Sequence, residues 1–134
     1  MQLNPKLFEV LYVSTIAPSA PVSVVADIAV RARTWNLQQD ITGLLIFDGM
    51  RFCQQIEGLQ KPVLSLIERI SADDRHLNVV IFHHGELEQR RFKDWSLAFT
   101  NVEDTEVLAR LEKLDGQPGV QAFEELLATL EIGG

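Results

Sequence analysis

The chain has 134 residues and a formal net charge of −7, with 46% hydrophobic and 23% charged residues. That is enough for one domain with a single core and too little for two, and the balance excludes a disordered chain. An acidic chain with no long uninterrupted apolar run is also a poor candidate for nucleic-acid binding or membrane insertion, and its pI is about 4.9.

The acidity is uneven. Residues 1–102 carry 11 acids against 10 bases, whereas residues 103–134 carry 8 acids against 2 bases. The main body is therefore near neutral, and the C-terminal quarter is expected to present a solvated acidic face, the alternative being a docking surface for a basic partner. Cys53 is the single cysteine, so no internal disulfide forms. Together with an N-terminus lacking a cationic export signal, this predicts a reducing, cytoplasmic setting.

In chain order, LFEVLYVS at 7–14 is rich in β-branched and aromatic residues and predicts a first strand. Ser19 is a candidate N-cap and Pro21 suits a first helical turn. From Val22, apolar residues at 25, 28, 29 and 32 recur at helical spacing as far as Trp35 and Asn36. DITGLLIFD at 40–48 and RFCQQIEG at 51–58 flank Gly49-Met50, a hairpin signal. Lys61-Pro62 opens a second helix with its stripe at Val63, Leu66, Ile67 and Ile70, ending at Ser71 to Asp74. Leu77 to Phe82 predict a strand running loosely toward Glu88, and Trp95 to Phe99 a last short one. Residues 103–131 predict two amphipathic helices broken at Gly116-Gln117-Pro118-Gly119.

The order β-α-β-β-α-β-β predicts an α+β, ferredoxin-like sheet with an extra strand. Right-handed crossovers place both early helices on one face, and the C-terminal helical hairpin covers the other.

Three polar side chains fall at positions where the periodicity wants apolar ones. Tyr12 points to the same side as Phe8 and Val10, Gln54 to the same side as Phe52 and Ile56, and Asn36 extends the inward stripe of the first helix. A buried amide without a partner costs about 1–3 kcal/mol, so these groups satisfy one another, meet backbone groups, or bind a flat polar-edged molecule. The residues alone leave those alternatives open. His83 and His84 point to opposite faces of a strand and Cys53 stands alone, so no metal-ligand spacing appears. Cys53 faces the side of the C-terminal helices, and His76 reads as a loop residue.

The same residues carry a family likeness. Tyr12 in LYVS, Asn36, ITGLL at 41–45, FCQQIEG at 52–58, ISADDRH at 70–76 and RRFKDWSLAF at 90–99 together resemble the BLUF domain, a blue-light sensor using a flavin. The likeness spans about residues 7–100. It implies a photosensory unit at 1–102, with 103–134 as an acidic helical extension, and it implies a photoreceptor rather than an enzyme. By position, it implies that Tyr12 gives an electron and a proton to the excited flavin, and that the Gln54 amide rearranges beside it. It also implies that Asn36 bonds the polar edge of the ring, that Arg69 and Asp73 contact its carbonyl side, and that Trp95 lies near the glutamine.

An amide suits such a switch because its donor and acceptor ends are nearly isosteric. The resemblance, not the residues, names the flavin as FAD. No Gly-rich phosphate motif is present, and Arg31, Arg33 and Arg75 read as solvated surface residues, though each is a candidate for the diphosphate. Two departures stand out. Leu97 occupies a position where the family often has methionine, which bears on the output route. Trp35 stands where Asn or His is common, and its indole either packs over the flavin or seals the helix end. With no effector domain in view, output is expected through self-association, as a homo-oligomer, or through a separate protein effector. The competing reading is a ferredoxin-like protein-interaction domain without flavin.

Overall fold

Alternating β-branched residues near the N-terminus form the longest-range pairings of the fold. The computed structural model describes residues 6–18, 21, 23–93 and 95–130. Strand β1 (Leu7–Ile16) is followed by helix α1 (Val24–Gln38), β2 (Thr42–Phe47), β3 (Arg51–Leu59), α2 (Gln60–Ser71), β4 (His76–Leu87) and β5 (Ala98–Asn101). Helices α3 (Thr105–Leu111) and α4 (Gly116–Leu127) complete the chain. The sheet order is β4-β1-β3-β2-β5, with β5 parallel to β2 and the other neighbours antiparallel. This is the expected ferredoxin-like arrangement with an added edge strand.

Local chemistry sets the boundaries. Between β2 and β3, Asp48 Oδ1 accepts from the backbone N–H of Met50 (2.9 Å) and Arg51 (2.7 Å), and Gly49 takes the left-handed turn with φ 98°. Helix α1 starts at Val24 with Ser23 preceding it, two residues later than the periodicity suggests. The proposed cap at Ser19 lies outside the described residues. The expected break at 116–119 is instead the first turn of α4. Pro118 is tolerated there because first-turn N–H groups have no intrahelical partner.

Two layers cover the sheet. On one face Leu11, Val13, Ile46 and Cys53 pack with Leu108 and Leu111 of α3 and Val120, Phe123 and Leu126 of α4. On the other, α2 packs over Val10, Tyr12 and Ile56, while α1 packs over Leu45, Phe52 and Leu97. The alternation read from the sequence thus places Tyr12 and Cys53 on opposite faces. In β4 the register against β1 shifts twice, and Asn78 adopts a left-handed φ of 52°, which blurs the period in that strand.

Gly43 in the ITGLL segment is required by close approach. A Cβ there would lie 2.0 Å from the carbonyl oxygen of Gln55, a backbone atom of the paired strand. Gly43→Ala is therefore expected to pry β2 from β3 and destabilise by about 1–3 kcal/mol, read as a lower urea midpoint.

Candidate functional site

The two early helices leave a cleft of about 200 Å³ over the sheet. Arg31 and Trp35 of α1 line one side, Leu66 and Arg69 of α2 the other, with Gln54 at the base and Asp73, Arg75 and His76 at one end. Gln54 reaches this position because β3 lies in mid-sheet between β1 and β2, where its even-numbered side chains face the helices. Tyr12 sits directly opposite Gln54 in the β1·β3 register. Its hydroxyl donates to Gln54 Oε1. Tyr12 is fully buried and Gln54 nearly so. Burial, assisted by nearby Cys53 and Asp73, raises the phenol pKa well above its ordinary value, so the hydroxyl stays protonated.

Asn36 is 1% exposed. Its Nδ2 donates to the carbonyl of Ser96 at 2.8 Å, but its Oδ1 is buried with no partner among the described residues. The indole Nε1 of Trp35 is likewise buried and unpaired there. A native fold rarely leaves an acceptor and a donor stranded on adjacent residues beside a cleft. An aromatic heterocycle carrying both carbonyls and ring N–H groups would satisfy them.

Asp73 is engaged by its own turn. Its carboxylate accepts from Arg75 Nη2 (2.6 Å), from Arg75 Nε (3.0 and 3.1 Å to the two oxygens) and from the Arg75 backbone N–H (2.9 Å). The Arg75 side chain holds the Asp73 pKa down at about 2. A carboxyl depressed in this way gives its stabilisation above the usual carboxylate range and loses it as pH falls toward 2. The pair fixes the Arg75 guanidinium at the end of the cleft.

Of the six residues singled out from the sequence, Gln54, Arg69 and Asp73 line the cleft, Tyr12 lies behind Gln54, and Asn36 adjoins Trp35. Trp95 does not join them: it packs half-buried on the opposite face, against the cluster that includes α3 and α4. Leu97, two residues on, is 1% exposed and packs on the cleft side with Val25, Ile28 and Phe52. Arg31 and Arg75 line the cleft, whereas Arg33 Nε donates to the Leu97 carbonyl at 3.1 Å.

Sequence reasoning missed His76. It opens β4 rather than sitting in a loop, is 7% exposed, and shares a 2.9 Å hydrogen bond between Nδ1 and Ser14 Oγ. Its ring packs against Phe52 at 5.0 Å and meets Tyr12 edge-on at 6.4 Å. Burial lowers its pKa, so it is neutral at pH 7. The available signal was Asp73, whose acceptance from the Arg75 N–H makes the tight turn that starts the strand there.

A ferredoxin-like sheet with a cleft on one helical face, floored by a buried Tyr–Gln pair and edged by unpaired polar atoms, defines a small cofactor-binding α+β domain. The family model described as sensors of blue-light using FAD (BLUF) matches residues 7–98, and the chain belongs to that family. It is a blue-light sensor domain that takes FAD as its chromophore, and the domain is a sensor rather than an enzyme.

The chain is 34% identical over 86 residues to the blue light- and temperature-regulated antirepressor BluF of Escherichia coli (strain K12), covering 64% of this chain and 21% of that protein. It is 28% identical over 94 residues to photoactivated adenylate cyclase subunit alpha of Euglena gracilis, covering 70% of this chain and 9% of that one. The chain thus spans about a fifth or less of the length of these relatives. Among solved structures, the dark state of the BLUF protein BlrB matches with a TM-score of 0.76 and 32% identity, covering 94% of this chain and 98% of that one.

Proposed function

We propose that this chain is a reversible light switch in which Tyr12 and Gln54 carry the photochemistry and Asn36, Arg69 and Asp73 position the flavin. The bound flavin supplies blue-light absorption and, once excited, an electron acceptor. Tyr12 is the oxidisable group behind Gln54: its electron would go to the flavin and its proton, along the existing hydrogen bond, by way of the Gln54 amide to the flavin, and both would return to Tyr12 once the amide has turned. Gln54 then turns its amide, exchanging donor and acceptor ends with almost no change in shape. Asn36 offers the unpaired Oδ1 to a donor on the ring edge and keeps its Nδ2 on Ser96.

The buried Tyr12–Gln54 hydrogen bond at the cleft is the observation that carries this reading. Residues 1–102 would form the photosensory unit and 103–134 an acidic extension. The packing of α3 and α4 on the reverse face of the sheet supports that division. Output would pass to a separate protein or through a change in a homo-oligomer; that the named relatives are a light-regulated antirepressor and a photoactivated cyclase subunit supports a signalling output. A buried free thiol at Cys53 suits a cytoplasmic setting.

The test is a light-minus-dark absorption spectrum of the purified chain. Yellow protein whose flavin band shifts red under blue light and relaxes in the dark is the expected result. Protein that stays colourless after FAD addition would return the flavin-free interaction domain to first place.

A further inference from the structure

The two helices that flank the cleft belong to different packing clusters. Helix α1 packs with β2 and β5 through Val25, Ile28 and Ala29, and no α2 residue shares that cluster. Helix α2 packs with β1 and β3 through Val63, Leu66 and Ile67. Trp35 is the one residue of α1 that joins the α2 cluster, and the Arg69 guanidinium carbon lies 3.9 Å from its ring centroid. Both residues line the cleft, Trp35 half-buried and Arg69 exposed. The contact is a cation lying over an indole face, and it reaches from one wall of the cleft to the other.

We propose that Trp35 and Arg69 form a clasp across the mouth of this cleft, which must open for the flavin ring to enter or leave and so sets how long the chromophore stays bound. The proposal rests on the cleft being the flavin site. The closed clasp leaves the indole Nε1 buried without an acceptor among the described residues. A ring carbonyl seated beneath it would supply one, so the ligand stabilises the closed arrangement that retains it. Arginine suits the outer half because its planar guanidinium stacks on an aromatic face while remaining hydrated at its edge. Two residues that share one contact have a distinctive signature: removing both costs less than the product of the two separate losses.

The experiment measures release of bound FAD from the full chain, followed as the rise in free flavin fluorescence on dilution, for W35L, R69M, the double variant and W35F. Each of the first two is expected to speed release at least about tenfold, and the double variant by no more than about twofold beyond the faster single. W35F keeps an aromatic face for the guanidinium but loses the Nε1–H, so it should speed release less than W35L does. Singles within twofold of the parent rate, or effects that multiply in the double variant, overturn the clasp while leaving the flavin site intact. A parent chain that takes up no FAD overturns both.

Discussion

Tyr12→Phe is expected to abolish the light-induced red shift while leaving the flavin bound. The substitution removes one oxygen from a fully buried side chain whose ring packs edge-on to His76, so the wall of the cleft keeps its shape. What disappears is the donor to Gln54 Oε1 and, with it, the oxidisable phenol. Gln54 is left with an unmatched buried acceptor, at a cost of about 1–2 kcal/mol, too little to unfold a domain of this size. The measurement is the pair of spectra, dark and illuminated, on protein with matched flavin content. A shift that persists in Tyr12→Phe would remove Tyr12 from the photochemistry.

Glu57→Leu should be the most damaging single change to the fold away from the cleft. The Glu57 carboxylate is fully buried on the face opposite Gln54. It accepts from Thr42 Oγ1 (2.5 Å), Gln55 Nε2 (2.9 Å), and the backbone N–H groups of Arg91 (2.7 Å) and Phe92 (2.9 Å). The last two anchor the segment between β4 and β5, which supplies the Ser96 carbonyl to Asn36. Leucine fills similar volume but accepts nothing, so several buried donors lose their acceptor together. A loss of about 3–5 kcal/mol is expected, read as a melting temperature lower by roughly 10 °C or more. Glu57→Gln keeps one acceptor oxygen and should fall between the two. A melting point within about 3 °C of the parent for Glu57→Leu would show that the anchored segment finds other acceptors.

Most of the architecture could be read from periodicity because the sheet buries both faces in regular alternation. That alternation puts Tyr12 and Cys53 on opposite sides, and they fall in separate clusters. The misplacements have local causes. A proline and two glycines mimic a turn at 116–119, yet they occupy the turn of a helix that tolerates them. In β4, strict alternation would group His76 with Phe82 on the face of α3 and α4, and two register shifts bring it beside Tyr12 instead.

Around the cleft, the residue types of Tyr12, Gln54 and Asn36 are visible as polar intrusions into apolar stripes. Their convergence is not, because it depends on β1 and β3 pairing in one register. The buried carboxylates were missed altogether. Glu9, bonded by Arg91 and Gln55, and Glu57 read in sequence as ordinary charged strand residues, because their partners arrive from distant segments.

The central position of β1 also governs how the molecule comes into being. Its first strand waits for partners supplied far downstream, Tyr12 meeting Gln54 on one flank and Ile81 on the other. Such non-local pairing slows folding, since the chain must close long loops before any contact rewards it. On a ribosome, the phenol and amide that read light come together only after β3 has emerged, and the sheet closes around them only once β4 follows. Competence to capture a chromophore thus waits for β4, and nascent chains lacking it should remain blind.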